Sequence, residues 1–462
     1  MSEQAASIEP DDERDDDYRL DPALVDSAMD ALDAKDRDAV RGIVEGMHVA
    51  DLADLIEQIG TERRRRFVSF AWADLDHGVL VELEEGVRDE ILGLLKPNEL
   101  VEAAREFETD DVVYLLGDLE PEQQQQVLAA LDPADRIAVA RSLSYPEYSA
   151  GRLMETDFVR APSFWTVGQM IDFMRASDDL PDQFYDIVVV DPSMKPVGLI
   201  PLSAVISSRR PVTLGAIMQT DFRSFHVEDA QEVVGYAFKQ YHLVSAPVTD
   251  EDGRVVGVIT IDDAVEAMDD EAEEDLKRLG GVGDEEISDD VIAIVKRRFP
   301  WLAVNLATAI LASLVIAQFE DTIARVVALA VLMPIVASMG GNAGTQSLTV
   351  AVRALATRDL TPTNAWRVVW RETVVGFLNG AAFAVVMGVV AVLWFGDPSL
   401  GGVIAVAMVV NLVAAGLAGI LVPLVLDRVG ADPALASGTF VTTVTDVVGF
   451  LAFLGLAALV LL

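Results

Sequence analysis

The sequence predicts a multidomain protein. A cytosolic all-α superhelical domain and a pair of small α/β repeats form a soluble half, followed by an α-helical polytopic membrane domain of five spans. Three observations carry this reading. The first is uneven charge: the 462 residues carry a net charge of −41, yet residues 300–462 hold six Arg, no Lys and eight Asp or Glu. An acidic soluble half therefore precedes an apolar one. The second is a set of five apolar stretches in that apolar half, each near the roughly 20 residues that cross a bilayer. The third is periodicity. Residues 25–140 space apolar positions by three and four, and residues 155–270 repeat a strand–turn–strand–helix layout twice.

The elements follow in order. Residues 1–24 (MSEQAASIEPDDERDDD and onward) lack the basic start and apolar core of a signal peptide and read as a disordered acidic tail. Residues 25–145 contain VADLADLIEQIG, NELVEAAREF and DDVVYLLGDL, amphipathic segments that suit an array of short helices. RRRR at 63–66 reads as a solvated face or a clamp for neighbouring acids. The repeat then pairs DIVVVDPSMKPVGLIPLSAVI with SAPVTDEDGRVVGVITIDDAVEAM. Beyond it, DDAVEAMDDEAEED places Asp263, Glu266 and Asp270 on one helix side, with Glu271, Glu274 and Asp275 a turn further on. Like charges at these spacings repel, and a bound cation would relieve them. Asp110 and Asp111 are candidate partners from the helical domain. The competing reading is general: six Lys against 28 Arg, with abundant Asp, is the surface of a protein from a salt-accumulating cell. Either way the negative field favours cations and argues against nucleic acid. The chain has no cysteine, so it forms no disulfide and uses no thiolate chemistry.

The expected spans are 300–318, 322–350, 368–395, 402–426 and 436–461. Lys296, Arg297 and Arg298 precede the first; Arg353, Arg358, Arg367 and Arg371 separate the second from the third; Arg428 separates the fourth from the fifth. Basic residues mark cytoplasmic connections, so the soluble half is expected in the cytoplasm and the C-terminus outside, in a multi-pass protein of the cytoplasmic membrane. The second span has a helix-loosening, polar centre, MPIVASMGGNAGTQS, in which Ser338, Asn342 and Gln346 recur every four residues. Gly340 and Gly344 suit close helix approach, and Pro334 frees a backbone carbonyl. The centre reads either as tight helix packing or as a cation path. In the fifth span, TFVTTVTDVVG sets Asp446 one turn after Thr442. A carboxylate at that depth costs at least ~2.5–3.5 kcal/mol and is a functional candidate. Asn305, Asn379 and Asn411 read either as interhelical hydrogen-bonders or as pore-lining groups, and Glu372 as solvated near a span end. Oxygen ligands without His or Cys select a hard ion, and magnesium keeps much of its water.

PIVASMGGNAGTQS, RALATRDL and TTVTDVVG together resemble the MgtE family of magnesium channels and transporters, and YPEYSAGRLMETDFV and EAEEDLKRLGG resemble that family's domain junction and acidic connecting helix. The resemblance covers about residues 25–462. It implies an N-terminal domain at 25–145, CBS domains at 146–210 and 211–270, a connecting (plug) helix at 271–299 and a pore domain at 300–462. It further implies a homodimer in the lipid bilayer, a pore at the subunit interface and closure by cytosolic Mg2+. By position, Asp446 would be the main pore acid, with Asn342, Gly340, Gly341, Gly344 and Gln346 lining the path and the acids of EAEED at 271–275 sensing the ion. Paired CBS domains often hold ATP or another adenine nucleotide. Gly257, Thr260 and Asp263 match that pattern, whereas in the first copy Gly198 is followed by Pro201 and Ala204. The expected function is Mg2+ import and not enzymatic catalysis. The rivals are a transporter of Mn2+ or Co2+ with Asp446 as proton relay, and a membrane-anchored nucleotide sensor.

Overall fold

The computed structural model describes residues 20–117, 119, 121–177, 180, 181, 183–282, 285 and 291–462, so most of the expected acidic tail lies outside the described residues. The chain divides into two compact units, Met1–Met268 and Asp269–Leu462.

Among the described residues, ten helices open the first unit: α1 (Pro22–Ala34), α2 (Arg37–Val44), α3 (Val49–Gln58), α4 (Thr61–Ala71), α5 (Val79–Glu82), α6 (Glu85–Leu92), α7 (Pro97–Ala104), α8 (Thr109–Gly117), α9 (Pro121–Ala130) and α10 (Pro133–Ser142). Acidic side chains start several of them by satisfying free N–H groups. Asp21 Oδ1 accepts from Ala23 N at 2.8 Å, and Asp36 Oδ1 accepts from Ala39 N at 3.1 Å. Helices near in sequence pack together (α1 with α2 and α4, α7 with α9, α8 with α10), and one apolar core runs from Ala28 to Val139. This is the array that the periodicity predicts.

The arginine run of α4 is a clamp for neighbouring acids. Arg64 is buried; its Nε donates to Ile56 O at 3.0 Å, Nη2 to Ile59 O at 3.1 Å and Nη1 to Glu90 Oε2 at 2.9 Å. Arg65 Nε reaches the other Glu90 oxygen at 2.6 Å, and Arg66 Nη2 reaches Asp33 at 3.0 Å. Removing one partner from a buried ion pair costs about 3–5 kcal/mol. Arg64→Ala is therefore expected to destabilise the helical domain by about 3 kcal/mol, read as faster hydrogen exchange at α3 and α4.

After α11 (Ala150–Leu153) comes the repeat: β1 (Arg160–Pro162), α12 (Val167–Ala176), β2 (Asp186–Val190), β3 (Pro196–Pro201), α13 (Leu202–Ser207) and α14 (Leu214–Ile217), then β4 (Phe225–His226), α15 (Gln231–Tyr241), β5 (Ser245–Thr249), β6 (Val255–Thr260) and α16 (Ile261–Gly280). The two sheets share one topology. β1 and β4 run parallel to β2 and β5, and β2 and β5 run antiparallel to β3 and β6. Even the irregularity repeats, between Val189 and Val190 and between Val248 and Thr249. The turns repeat as well: Asp191 Oδ1 accepts from Ser193 N and Lys195 N, and Asp250 Oδ1 accepts from Asp252 N and Arg254 N. Gly257 has a structural cause: a Cβ there would lie 2.6 Å from Glu155 O, on a chain segment that crosses β6.

The acidic connecting segment differs from expectation. Residues 291–299 open the next helix (Val291–Ala317), most of 283–290 lie outside the described residues, and residues 271–280 are the end of α16, because nothing between Met268 and Glu271 breaks a helix. Gly281, with a left-handed φ of 71°, follows its end.

The second unit holds α17 (Val291–Ala317), α18 (Glu320–Arg325), α19 (Ala328–Ala356), α20 (Ala365–Phe395), α21 (Pro398–Arg428) and α22 (Pro433–Val460). Among the described residues, five of these helices are long and apolar enough to cross a membrane. α21 is the central one and packs against α19, α20 and α22, whereas α17 is almost wholly exposed. Small residues permit the approach: a Cβ on Gly376 of α20 would lie 2.6 Å from Leu412 O of α21. The expected second span at 322–350 starts too early, since α18 ends at Arg325 and α19 begins at Ala328. Its centre is also not loosened: α19 continues through Pro334 to Ala356.

Candidate ion pathway and cytosolic carboxylate cluster

The second unit contains a cavity of about 430 Å³ bounded by the end of α16 and by α17, α19 and α22. Asp446 and Thr442 both line it, together with Asn305, Thr308, Thr345, Thr349, Thr439 and Thr443. Among the described residues, Asp446 is the one acidic side chain in the lining. The hydroxyls share a pattern. Thr345 donates to Gly341 O (3.0 Å), Thr349 to Thr345 O (3.0 Å), Thr442 to Gly438 O (2.9 Å) and Thr443 to Thr439 O (2.6 Å). Each hydroxyl has one proton and spends it on its own helix, so what remains toward the cavity is acceptor lone pairs. Such a wall suits a cation and the water around it.

The glycines and amides of α19 sit elsewhere. Gly340 is buried against Asn411 of α21, and Gly344 against Val441 of α22. Asn342, Gln346 and Ser338 do share one face, as their spacing predicts, but that face is exposed in the single chain and does not line the cavity. Nothing lies within 4 Å of where a Gly341 Cβ would be. Thr345 and Thr349 are the contribution of α19 to the lining; the sequence reading passed over them because threonine is common in helices that donate back to the backbone. Asn411 and Asn305 hydrogen-bond between helices, Asn411 Nδ2 to Val336 O at 2.8 Å and Asn305 Oδ1 from Thr439 Oγ1 at 2.7 Å. Glu372 departs from its reading as solvated. Its side chain is only 12% exposed and accepts from Ser347 Oγ at 3.0 Å, because α20 turns that face onto α19.

In the first unit, Asp110 and Asp111 at the start of α8 meet Asp263 at the start of α16. Glu155, Asp262 and Glu108 complete the cluster. Glu155 was not legible as a member: it lies in an irregular segment whose backbone is tied to Val258 in both directions at 2.9 Å. Thr260 Oγ1 approaches carboxyl oxygens of both Asp262 and Asp263, the latter at 2.7 Å. One hydroxyl proton serves one acceptor, so the arrangement favours a proton on one carboxyl. Asp110 Oδ1 is buried with no hydrogen-bond partner among the described residues. Glu266 is exposed on α16; Glu271, Glu274 and Asp275 lie beyond Met268 in the second unit, where Glu274 pairs with Arg278. Among the described residues no three acidic or His side chains converge closely enough to hold a bare metal ion.

Burial first, then mutual repulsion, drives these acids toward the protonated form. Asp110 is held well above the ordinary carboxylate range, Asp111 is pushed up to about 7 and Glu155 to about 8. The unfolded values lie near 4. Between about pH 4 and 8 the folded arrangement thus binds more protons than the open chain, so its stability falls as pH rises through that window. Without divalent ions, protease sensitivity of the soluble half is expected to increase several-fold from pH 6 to pH 8.5. Asp111→Asn combined with Glu155→Gln should flatten that dependence; an unchanged slope would dissociate it from these acids.

The residues expected to hold nucleotide lie beside the acid cluster. Thr260 and Asp263 belong to the acid cluster, and Gly257 faces Glu155. An open cleft of about 640 Å³ lies between the two copies, lined by Asp186 and Ser203 of the first and by Arg223, Tyr241 and Ser245 of the second. Arg223 stacks over the Tyr241 ring at 4.4 Å.

Three family models match the chain: a divalent cation transporter model over residues 333–456, the MgtE intracellular N domain over 47–148 and a CBS domain over 214–270. The magnesium transporter MgtE of Thermus thermophilus is 32% identical over 463 aligned residues, spanning 96% of this chain and 99% of the relative. The chain belongs to the MgtE family. MgtE of Enterococcus faecalis is 34% identical over 317 residues, 69% of this chain and 70% of the relative. A solved cytosolic domain of the Mg2+ channel MgtE in complex with ATP aligns at 29% identity with a TM-score of 0.48, covering 52% of this chain and 99% of that one. MgtE membership and the five long apolar helices make this a multi-pass membrane protein with an N-terminal helical domain and CBS domains.

Proposed function

We propose that the protein imports Mg2+ across the cytoplasmic membrane and is closed by cytosolic Mg2+ acting on its acidic half. The observation that carries the import reading is the cavity of α17, α19 and α22, with a lone carboxylate and hydroxyl oxygens whose protons are already engaged. Magnesium sheds water reluctantly and binds well through it; a wide acceptor wall with one acid suits a hydrated ion. Family membership supports the ion's identity. The arginine distribution supports a cytoplasmic soluble half and an outer C-terminus. The exposed polar face of Ser338, Asn342 and Gln346 supports a homodimer, since lipid cannot solvate it. On this reading the acid cluster of Asp110, Asp111, Glu155 and Asp263 is the sensor, and a water-clad cation relieves its repulsion. An adenine nucleotide, if one is held at the CBS pair, occupies the Asp186–Arg223–Tyr241 cleft, not Gly257, Thr260 and Asp263.

The test is influx into liposomes holding a magnesium-sensitive dye, with and without a pH gradient and with Mn2+ or Co2+ competing. Uptake of Mg2+ unaffected by the gradient is the expected result. Uptake that collapses without the gradient would favour the proton-coupled rival, and no uptake at all would leave the nucleotide-sensor reading.

A further inference from the structure

The last turn of α16 places Lys277 and Arg278 at the end of an otherwise acidic helix. Lys277 pairs with Glu273 one turn back at 2.9 Å, within its own helix. Arg278 is placed differently. It is about one-third exposed, its Nη2 donates to Glu274, and its Nη1 donates to Asp432 Oδ2 at 2.6 Å. Asp432 is the N-cap of α22, where its other oxygen accepts from Ala434 N at 2.7 Å. One guanidinium fork thus links the end of α16 to the first turn of the helix that carries Thr442 and Asp446. Arg278 also lines the same cavity as Asp446, beside Leu279, Gly280 and Trp301.

We propose that Arg278 is a positioning residue that sets a fixed positive charge at one end of the cation cavity and straps α16 to α22. The proposal rests on reading that cavity as the ion pathway. The physical reasons are three. A guanidinium keeps its charge at any working pH, so the barrier does not titrate away. A charge between low-dielectric walls acts on an approaching ion far more strongly than one in bulk water. The planar fork reaches two carboxylates on two elements at once, so the charge is held in place and not left to swing into solvent.

The experiment uses the full-length chain in dye-loaded liposomes at low internal Mg2+. Arg278→Gln is expected to raise initial Mg2+ influx at least about tenfold, at the low end of what a local field does to ion entry rates. Arg278→Lys keeps the charge and should stay nearer the wild type than Arg278→Gln. Asp432→Asn, which still caps α22 and leaves the guanidinium paired with Glu274 alone, removes one compensating negative charge, so it should lower influx, and it serves as the test if Arg278→Gln fails to fold. Equal influx from Arg278→Gln, Asp432→Asn and wild type overturns the proposal. So does an Arg278→Lys rate equal to that of Arg278→Gln, which would make the strap purely steric. Asp446→Ala is run alongside. If it still conducts, the pathway reading itself fails; if it is silent while the Arg278 and Asp432 variants match wild type, only the role of Arg278 fails.

Discussion

Asp446→Ala is expected to lower Mg2+ influx at least about 100-fold while the protein still inserts and assembles. A unit charge about 4 Å from an ion contributes ~4 kcal/mol per unit of ion charge at an effective dielectric of ~20. Asp446 is the one acid among the described cavity-lining residues, so no neighbouring carboxylate offsets its loss. Asp446→Asn separates charge from shape: it keeps the size and hydrogen-bonding capacity and should be nearly as inactive as the alanine variant. Thr442→Val, which removes one lone-pair donor from the same wall, should cost only a few-fold. Near-normal influx from a correctly inserted Asp446→Asn protein would show that the ion does not depend on this charge and would end its role as pore acid.

Asp446 and Thr442 were legible because a carboxylate in an apolar run has few structural explanations, and one helical turn fixes their common face. Asn411 was legible for a related reason, as a buried amide needs a partner and a neighbouring helix supplies Val336 O. The polar centre of α19 was harder. Its period correctly grouped Ser338, Asn342 and Gln346 and set Gly340 and Gly344 apart, yet which face meets the cavity depends on how α19 rotates against α21 and α22. The glycines decide that rotation by admitting Asn411 and Val441, and that choice is tertiary. Glu372 failed likewise: depth along a span was readable, direction was not. The Gly257, Thr260 and Asp263 pattern gave no sign that another chain segment would pack over Gly257. Here Glu155 is the crossing residue, and its irregular segment left no period to read.

Deleting residues 1–140 is expected to leave a protein whose influx is nearly the same at low and high internal Mg2+. The deletion removes Glu108, Asp110 and Asp111, one whole side of the acid cluster, and leaves Glu155, Asp262 and Asp263 facing water. Bound to the compact arrangement, the ion offsets repulsion among buried acids; bound to the loose one, it offsets little. It shifts the equilibrium only by that difference in affinity, and without the facing acids the difference vanishes. A second variant fixes the sign of the argument. Asp110→Asn with Asp263→Asn keeps both walls but removes much of the repulsion, so the compact arrangement should form without the ion. That variant should therefore be closed at low internal Mg2+, the reverse of the open truncation. If the truncated protein is still inhibited to the full degree, the sensor lies within residues 141–462. If the neutralised protein is as open as the truncated one, the acids serve as ligands whose loss abolishes binding, and their repulsion does not set the resting state.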